Sequence, residues 1–267
     1  VAEEMRRVAR AITGAGKSFA LLFAPDKQGI YPEYLSSDLE RRGECARQKR
    51  EALRAELSTD PPPGYVDSWS LLGEARGQDD RLLYFRDDSH LTTLGASIWV
   101  EAVLDQLQPE TWDPAIFQFV DTRQHYGNLT RSLGLQFTES VDHFEVHRDG
   151  LEILSVEQSG RSFGVDERST IAYILKQPDN AVSIEGEAVY LKDSFMDIPI
   201  DMLVPYHSTV TFTDWRDQGS VDQFLELLVG ADFVVIETSE HGLWKRFADA
   251  SLADSVIEAL AAEGTGP

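Results

Sequence analysis

LLYFRDDSHLTTLGASIWVEAVLDQL, residues 82–107, sets a short apolar run against a long one, with a polar turn between them. LLYF predicts a short buried strand. TTLGASIWVEAVLDQL carries its apolar residues at helical spacing, which puts Trp99 in the core. Working outward, EEMRRVARAIT (residues 3–13) has helical periodicity, and SFALLFAP (18–25) predicts a buried strand closed by proline. Residues 32–57 predict a long helical stretch that PPPG ends at 61–64, and YVDSW (65–69) predicts another short strand. Near the end come VVIE (234–237) and a final helix rich in Ala and Leu. Strands alternating with helices imply an α/β fold, a mostly parallel sheet covered on both faces.

The middle of the chain differs. FEVHRDGLEILSVEQS (144–159) places Asp149-Gly150 between two alternating runs, a strong hairpin signal. Residues of about 110–186 therefore predict a β-rich, less regular insertion within a single domain spanning 1–267.

A length of 267 residues with 42% hydrophobic and 26% charged residues suits a soluble globular protein with a substantial core. No apolar run approaches the roughly 20 residues that cross a bilayer. Val1 opens directly inside an amphipathic helix with no initiator Met, so the chain reads as trimmed, and a missing signal peptide says little about compartment. Cys45 is the only cysteine, which excludes an intrachain disulfide and a Cys-based metal site. A net charge of −22, from 46 acidic against 24 basic residues, repels phosphate backbones and argues against a nucleic-acid partner. AITGAGKS (11–18) satisfies a loose phosphate-loop pattern. That loop needs a strand before it and a helix after, and here the order is reversed.

Two segments carry the chemistry. RDDSHLTTLGA (86–96) follows LLYF, and VYLKDSF (189–195) ends a β-prone run in a polar turn bearing Ser194. Both lie where strand ends build sites in open α/β sheets. A serine hydroxyl needs an adjacent base to act as a nucleophile, and histidine titrates in the right range. A carboxylate on the other ring nitrogen holds the tautomer. Asp88-Ser89-His90 supplies base and orienting acid from one turn. The same Asp-x-His spacing also serves metal sites, but no further ligands follow at a telling spacing, and neither metal nor cofactor is expected.

In family order, four segments resemble the SGNH-hydrolase-like polysaccharide O-acetyltransferases, the alginate O-acetyltransferase AlgX/AlgJ type. They are FAPDKQGIYPEYL (23–35), DSHLTTLGA (88–96), YGNLTRSLG (126–134) and YLKDSF (190–195), and FVVIETSEHGLW (233–244) fits the closing strand. The histidine block precedes the serine block, which is the permuted arrangement of that family. The resemblance implies a three-layer α/β/α, flavodoxin-like sheet and a triad of Ser194 as nucleophile, His90 as base and Asp88 as acid. Asp87, whose Asp-x-x-His spacing matches unpermuted SGNH enzymes, competes with Asp88.

The Ser194 N–H is the natural oxyanion donor; Asn128 is a second donor or a turn residue. Lys27 is a cation facing an acidic sugar or a surface lysine. The implied activity is acetyl transfer onto a carbohydrate or exopolysaccharide hydroxyl, from an acyl donor supplied directly or by a membrane acyl-transfer partner, in the periplasm or outside the cell. A carbohydrate acetylesterase uses the same triad. Lys192, where the family has glycine, keeps open a non-catalytic polysaccharide-binding component. Pro199 suits a first helical turn, which predicts a helix starting near Ile198. His241 stands where an arginine is expected. His143 and His147 read as solvated strand positions, His125 and His207 as structural, and the other tryptophans as possible sugar-stacking surfaces.

Overall fold

SFALLFA forms β1 (Ser18–Ala24), buried along nearly its whole length. A continuous apolar run of this kind suits a strand covered on both faces. β1 begins the main sheet, whose next members are β8 (Phe233–Ser239), β6 (Ile184–Lys192) and β7 (His207–Asp214), all parallel. β5 (Thr170–Lys176) and β4 (Glu152–Ser159) extend it antiparallel beyond β7. β2 (Phe117–His125) and β3 (Glu139–Val146) pair antiparallel as a separate ribbon. The computed structural model describes residues 1–78, 81–159, 170–179, 181–215 and 218–263.

Alternation along the central strands sorts side chains onto two faces. Phe19, Leu21 and Phe23 of β1 join Val189, Leu191, Val234 and Ile236 on one face. There they meet α1 (Ala2–Gly14), α4 (Glu44–Thr59), α9 (Gln218–Gly230), α10 (Glu240–Arg246) and α11 (Ser251–Glu263). Ala20 and Leu22 join Tyr190, Val210, Phe212 and Val235 on the other face, against α5 (Ser68–Arg76), α6 (Thr93–Leu107) and α8 (Asp197–Leu203). The result is the expected three-layer α/β/α arrangement. Trp99 of α6 is buried, as its periodicity predicts, and donates from Nε1 to Ser68 Oγ at 3.1 Å. The 11–18 segment is the turn from α1 into β1, with Gly16 at φ +79°.

Several local expectations are corrected. YVDSW is not a strand. Tyr65 makes a single bridge to Leu21, and Asp67 then caps α5 by accepting from Ser70 N. LLYF is not a strand of the sheet either: its backbone forms only the Tyr84–Leu91 bridge, and side chains hold it instead. Tyr84 Oη donates to the Pro25 carbonyl and Tyr31 Oη accepts from Leu83 N. The long helix at 32–57 is broken into the short α3 (Ser37–Arg42) and α4 at Gly43. Asp149-Gly150 does turn the chain, with Gly150 at φ +81°. It joins no hairpin, because β3 pairs with β2 while β4 pairs with β5. The 110–186 segment is thus shared between the ribbon and the edge of the main sheet.

Candidate functional site

β6 ends at Lys192, and a 3₁₀ turn, Ser194–Met196, leads into α8, one residue earlier than the proline suggests. Asp193 caps this turn through Oδ1, which accepts from Phe195 N at 3.0 Å. Its Oδ2 accepts from Ser239 N at 2.7 Å and from Arg246 Nη1 at 3.0 Å, and its own N–H donates to Glu237 Oε2 at 2.8 Å. Ser194 therefore stands on a turn tied to the end of β8. Arg246 reaches back to Asp193 from the end of α10. Glu237 is fully buried; burial, then the nearby Asp193 charge, pushes its carboxyl well above the usual range. The buried Lys192 ammonium is paired with Asp197 and with Asp214 Oδ2 at 3.4 Å.

The histidine comes from the 85–91 loop, which closes on itself through Phe85 N to the His90 carbonyl. Lys27, in the short α2 (Lys27–Ile30) just past β1, donates to the carbonyls of Phe85 at 2.5 Å, Arg86 at 2.6 Å and Asp88 at 3.2 Å. An ammonium has three N–H donors, and all three are engaged. Lys27 thus moors the loop. Burial lowers its pKa, against nearby carboxylates that raise it.

Ser194, His90 and Asp88 meet here. His90 Nδ1 lies 2.7 Å from Asp88 Oδ1, and His90 Nε2 lies 3.1 Å from Ser194 Oγ. A carboxylate only accepts, so the proton sits on Nδ1 and the Nε2 lone pair faces the hydroxyl. Asp88 also accepts His90 N at 3.0 Å, and its Oδ2 accepts Asn128 N at 2.8 Å. Burial alone would raise its pKa, but these donors outweigh it and hold the carboxyl well below the usual range.

Asp87 points elsewhere: its Oδ2 accepts Thr130 Oγ1 at 2.8 Å and Gly127 N at 3.3 Å. A Cβ on Gly127 would lie 2.1 Å from the Asp87 carbonyl oxygen, so only glycine lets α7 (Asn128–Ser132) approach this loop. Asn128 braces the loop through its side chain. Its Nδ2 donates to Ser89 Oγ at 2.7 Å and its Oδ1 accepts Ser89 N at 3.1 Å. Both polar ends of that side chain are thereby engaged with Ser89.

His125, read as structural, sits inside the cluster: its Nε2 lies 3.1 Å from Asp88 Oδ2 and its ring stacks on Phe85 at 3.7 Å. It directly precedes the segment 126–134, and no pattern in the sequence singles it out. His207 is buried in the core with Nε2 2.9 Å from Tyr190 Oη, and burial lowers its pKa to about 3. His147 is exposed.

Beside the loop, a groove of about 450 Å³ runs between the ribbon and α8. Phe85, Phe144, Arg123, Asp197 and Asp201 are among its walls. His143 lines it too, 2.9 Å from Glu145 Oε1, so it is not merely a solvated strand position. Phe85 and Phe144 supply the aromatic faces there. Among the described residues, no cluster of three or more His, Cys, Asp or Glu side chains is arranged to hold a metal ion.

Solved structures resemble the chain over most of its length. PatB1 of Bacillus cereus, in its structure with a sulfonyl adduct, aligns at a TM-score of 0.65 with 15% identity, over 91% of this chain and 88% of that one. The O-acetyltransferase domain of Pseudomonas putida AlgJ aligns at 0.53 with 15% identity, over 94% and 88% respectively. Pseudomonas aeruginosa AlgX aligns at 0.58 with 15% identity, over 97% of this chain and 59% of that one. At such identities these are likenesses of fold. No curated protein matches the sequence. The family model described as the SGNH hydrolase-like domain of acetyltransferase AlgX matches residues 1–172, a span that holds Asp88 and His90 and ends before Ser194. The chain belongs to this SGNH hydrolase-like acetyltransferase family of enzymes.

Proposed function

We propose that this protein moves an acetyl group onto a carbohydrate hydroxyl through an acetyl-Ser194 intermediate. The observation that carries the reading is the His90 ring bridging Asp88 Oδ1 at 2.7 Å and Ser194 Oγ at 3.1 Å. His90 Nε2 takes the Oγ proton as Oγ attacks the donor's carbonyl carbon. The Ser194 N–H faces the developing oxyanion. The donor's alcohol leaves with the proton from His90. A sugar hydroxyl then gives its proton to His90 and attacks the acetyl carbon, and Ser194 Oγ leaves, recovering the proton. Asp88 stays ionised throughout and steadies the imidazolium.

The groove beside Phe85 is the acceptor's seat in this reading. Its arginine, Arg123, is already paired with Asp121 and Glu145, Asp197 is paired with Lys192, and Asp201 adds acidic character. Together with the net charge of −22, that favours a neutral or weakly charged glycan over a polyanionic one. An exopolysaccharide acceptor places the reaction in the periplasm or outside the cell. No helix among the described residues is long and apolar enough to cross a membrane.

The test follows p-nitrophenol release from p-nitrophenyl acetate by wild type and Ser194→Ala, with and without an oligosaccharide acceptor, and mass spectrometry of the sugar. Serine-dependent release with acetylated sugar is expected. Serine-dependent release to water alone points to an esterase, and equal turnover by both proteins rejects the triad.

A further inference from the structure

We infer that His125 is a positioning residue of this site, holding the second oxygen of Asp88 and thereby setting the basicity of His90. The inference rests on the proposed function above.

Asp88 receives two donors on each edge. His90 N and Nδ1 lie on Oδ1, and Asn128 N and His125 Nε2 lie on Oδ2. Because the carboxylate only accepts, His125 Nε2 carries a proton and donates. The imidazole is the last residue of β2, and its ring lies flat on Phe85 with an interplanar angle of 13°. That stack and the hydrogen bond fix both the plane and the tip of the ring. The ribbon thus reaches the triad acid through one side chain.

The consequence is electrostatic. A donor on Oδ2 draws negative charge away from the edge that faces His90, so His90 holds its proton less tightly than it would beside a freer carboxylate. A protonated His125 would act with the same sign. The other charged groups around the ring are Asp87 on the same loop, Glu139, which is its register partner on β3, and Lys27 beneath the loop. From α7 comes Arg131, whose guanidinium lies over Tyr126. Among these, His125 is the side chain that touches Asp88 Oδ2 directly.

Two substitutions separate the donor from the ring. His125→Phe keeps an aromatic plane against Phe85 and removes the donor; His125→Gln keeps an N–H at the reach of Nε2 and removes the ring. With p-nitrophenyl acetate, His125→Phe is expected to lower kcat about 10-fold with KM little changed, and to move the acid limb of kcat/KM up by about half a pH unit. His125→Gln is expected to restore the limb and most of kcat. If both variants keep the wild-type limb, or both lose activity equally without moving it, the ring is only packing and the inference fails. Ser194→Ala is run alongside: a serine-dependent enzyme whose limb ignores His125 sinks this inference alone, whereas turnover without Ser194 sinks the proposed function. Thermal melts of each variant exclude loss of fold as the cause.

Discussion

Replacing Asp88 by asparagine tests the site where its geometry is most demanding. The carboxylate accepts four N–H groups, from His90 N at 3.0 Å, His90 Nδ1 at 2.7 Å, Asn128 N at 2.8 Å and His125 Nε2 at 3.1 Å. An amide has one oxygen, so one edge must present its NH₂ to two donors. If that edge faces His90, the ring adopts the other tautomer and its Nε2–H points at Ser194, leaving no base. If it faces Asn128 and His125, a half-buried backbone N–H loses its acceptor, and the imidazolium formed in the transition state loses its counter-charge. Hydrogen bonds to charged groups contribute about 1.5–3 kcal/mol each. Losing two in the transition state costs about 3–6 kcal/mol, which is about 10²- to 10⁴-fold in kcat at 1.36 kcal/mol per decade. The assay is release of p-nitrophenol under saturating ester, with a thermal melt to confirm folding. Asp87→Asn is the matched control, because Asp87 faces Thr130 and Gly127. A wild-type kcat in Asp88→Asn, with a hundred-fold loss in Asp87→Asn, would refute the reasoning and make Asp87 the acid.

Gly127→Ala drives a methyl toward the Asp87 carbonyl, so α7 must retreat and release Asn128 N from Asp88. A loss of kcat of at least about 10-fold is expected, together with a lower melting temperature, consistent with about 1–3 kcal/mol of overpacking; an unchanged enzyme would show the approach to be loose. His207 stays neutral in the fold, with its pKa lowered from 6.5 to about 3. The unfolded chain therefore binds the extra proton below pH 6.5, and stability present above that pH is lost as pH falls toward the folded value, by at most about 1.4 kcal/mol per unit. His207→Phe should flatten the fall in urea-unfolding free energy between pH 6.5 and 5, and an identical slope in both proteins would contradict this.

Most of the layer plan was legible in the sequence. The runs at 18–24 and 233–239 are apolar on both faces, which fits central strands, and the spacing in 93–107 fits a helix with Trp99 inward. What failed was partner choice. Alternation says that residues 144–146 and 152–159 are half-buried strands, but it does not say with which neighbours they pair. LLYF is buried by tyrosine hydroxyls and a lysine from elsewhere in the chain, not by a ladder, so its apolarity mimicked a strand. The histidine and serine blocks were each visible, though 104 residues apart, and it was the likeness to a permuted family that joined them. His125 and Arg246 carried no comparable pattern, because what brings each to its aspartate is the course of a distant strand or helix end.

The ribbon of β2 and β3 forms its own sheet. Its strands supply one wall of the groove, including Arg123, His143 and Phe144, while Ser194 stands on the turn that follows β6 of the main sheet. On the proposed function, recognition and bond-making fall to separately hydrogen-bonded parts of the chain. In that reading, groove-lining ribbon residues such as Arg123, His143 and Phe144 can change to accept a different sugar while the strand that leads to Ser194 is left as it is, a division of labour that makes the fold easy to retarget in evolution or by design. His125, and Gly127 and Asn128 between the ribbon's two strands, are the points at which such changes must be made with care, since each also holds the loop of Asp88 and His90.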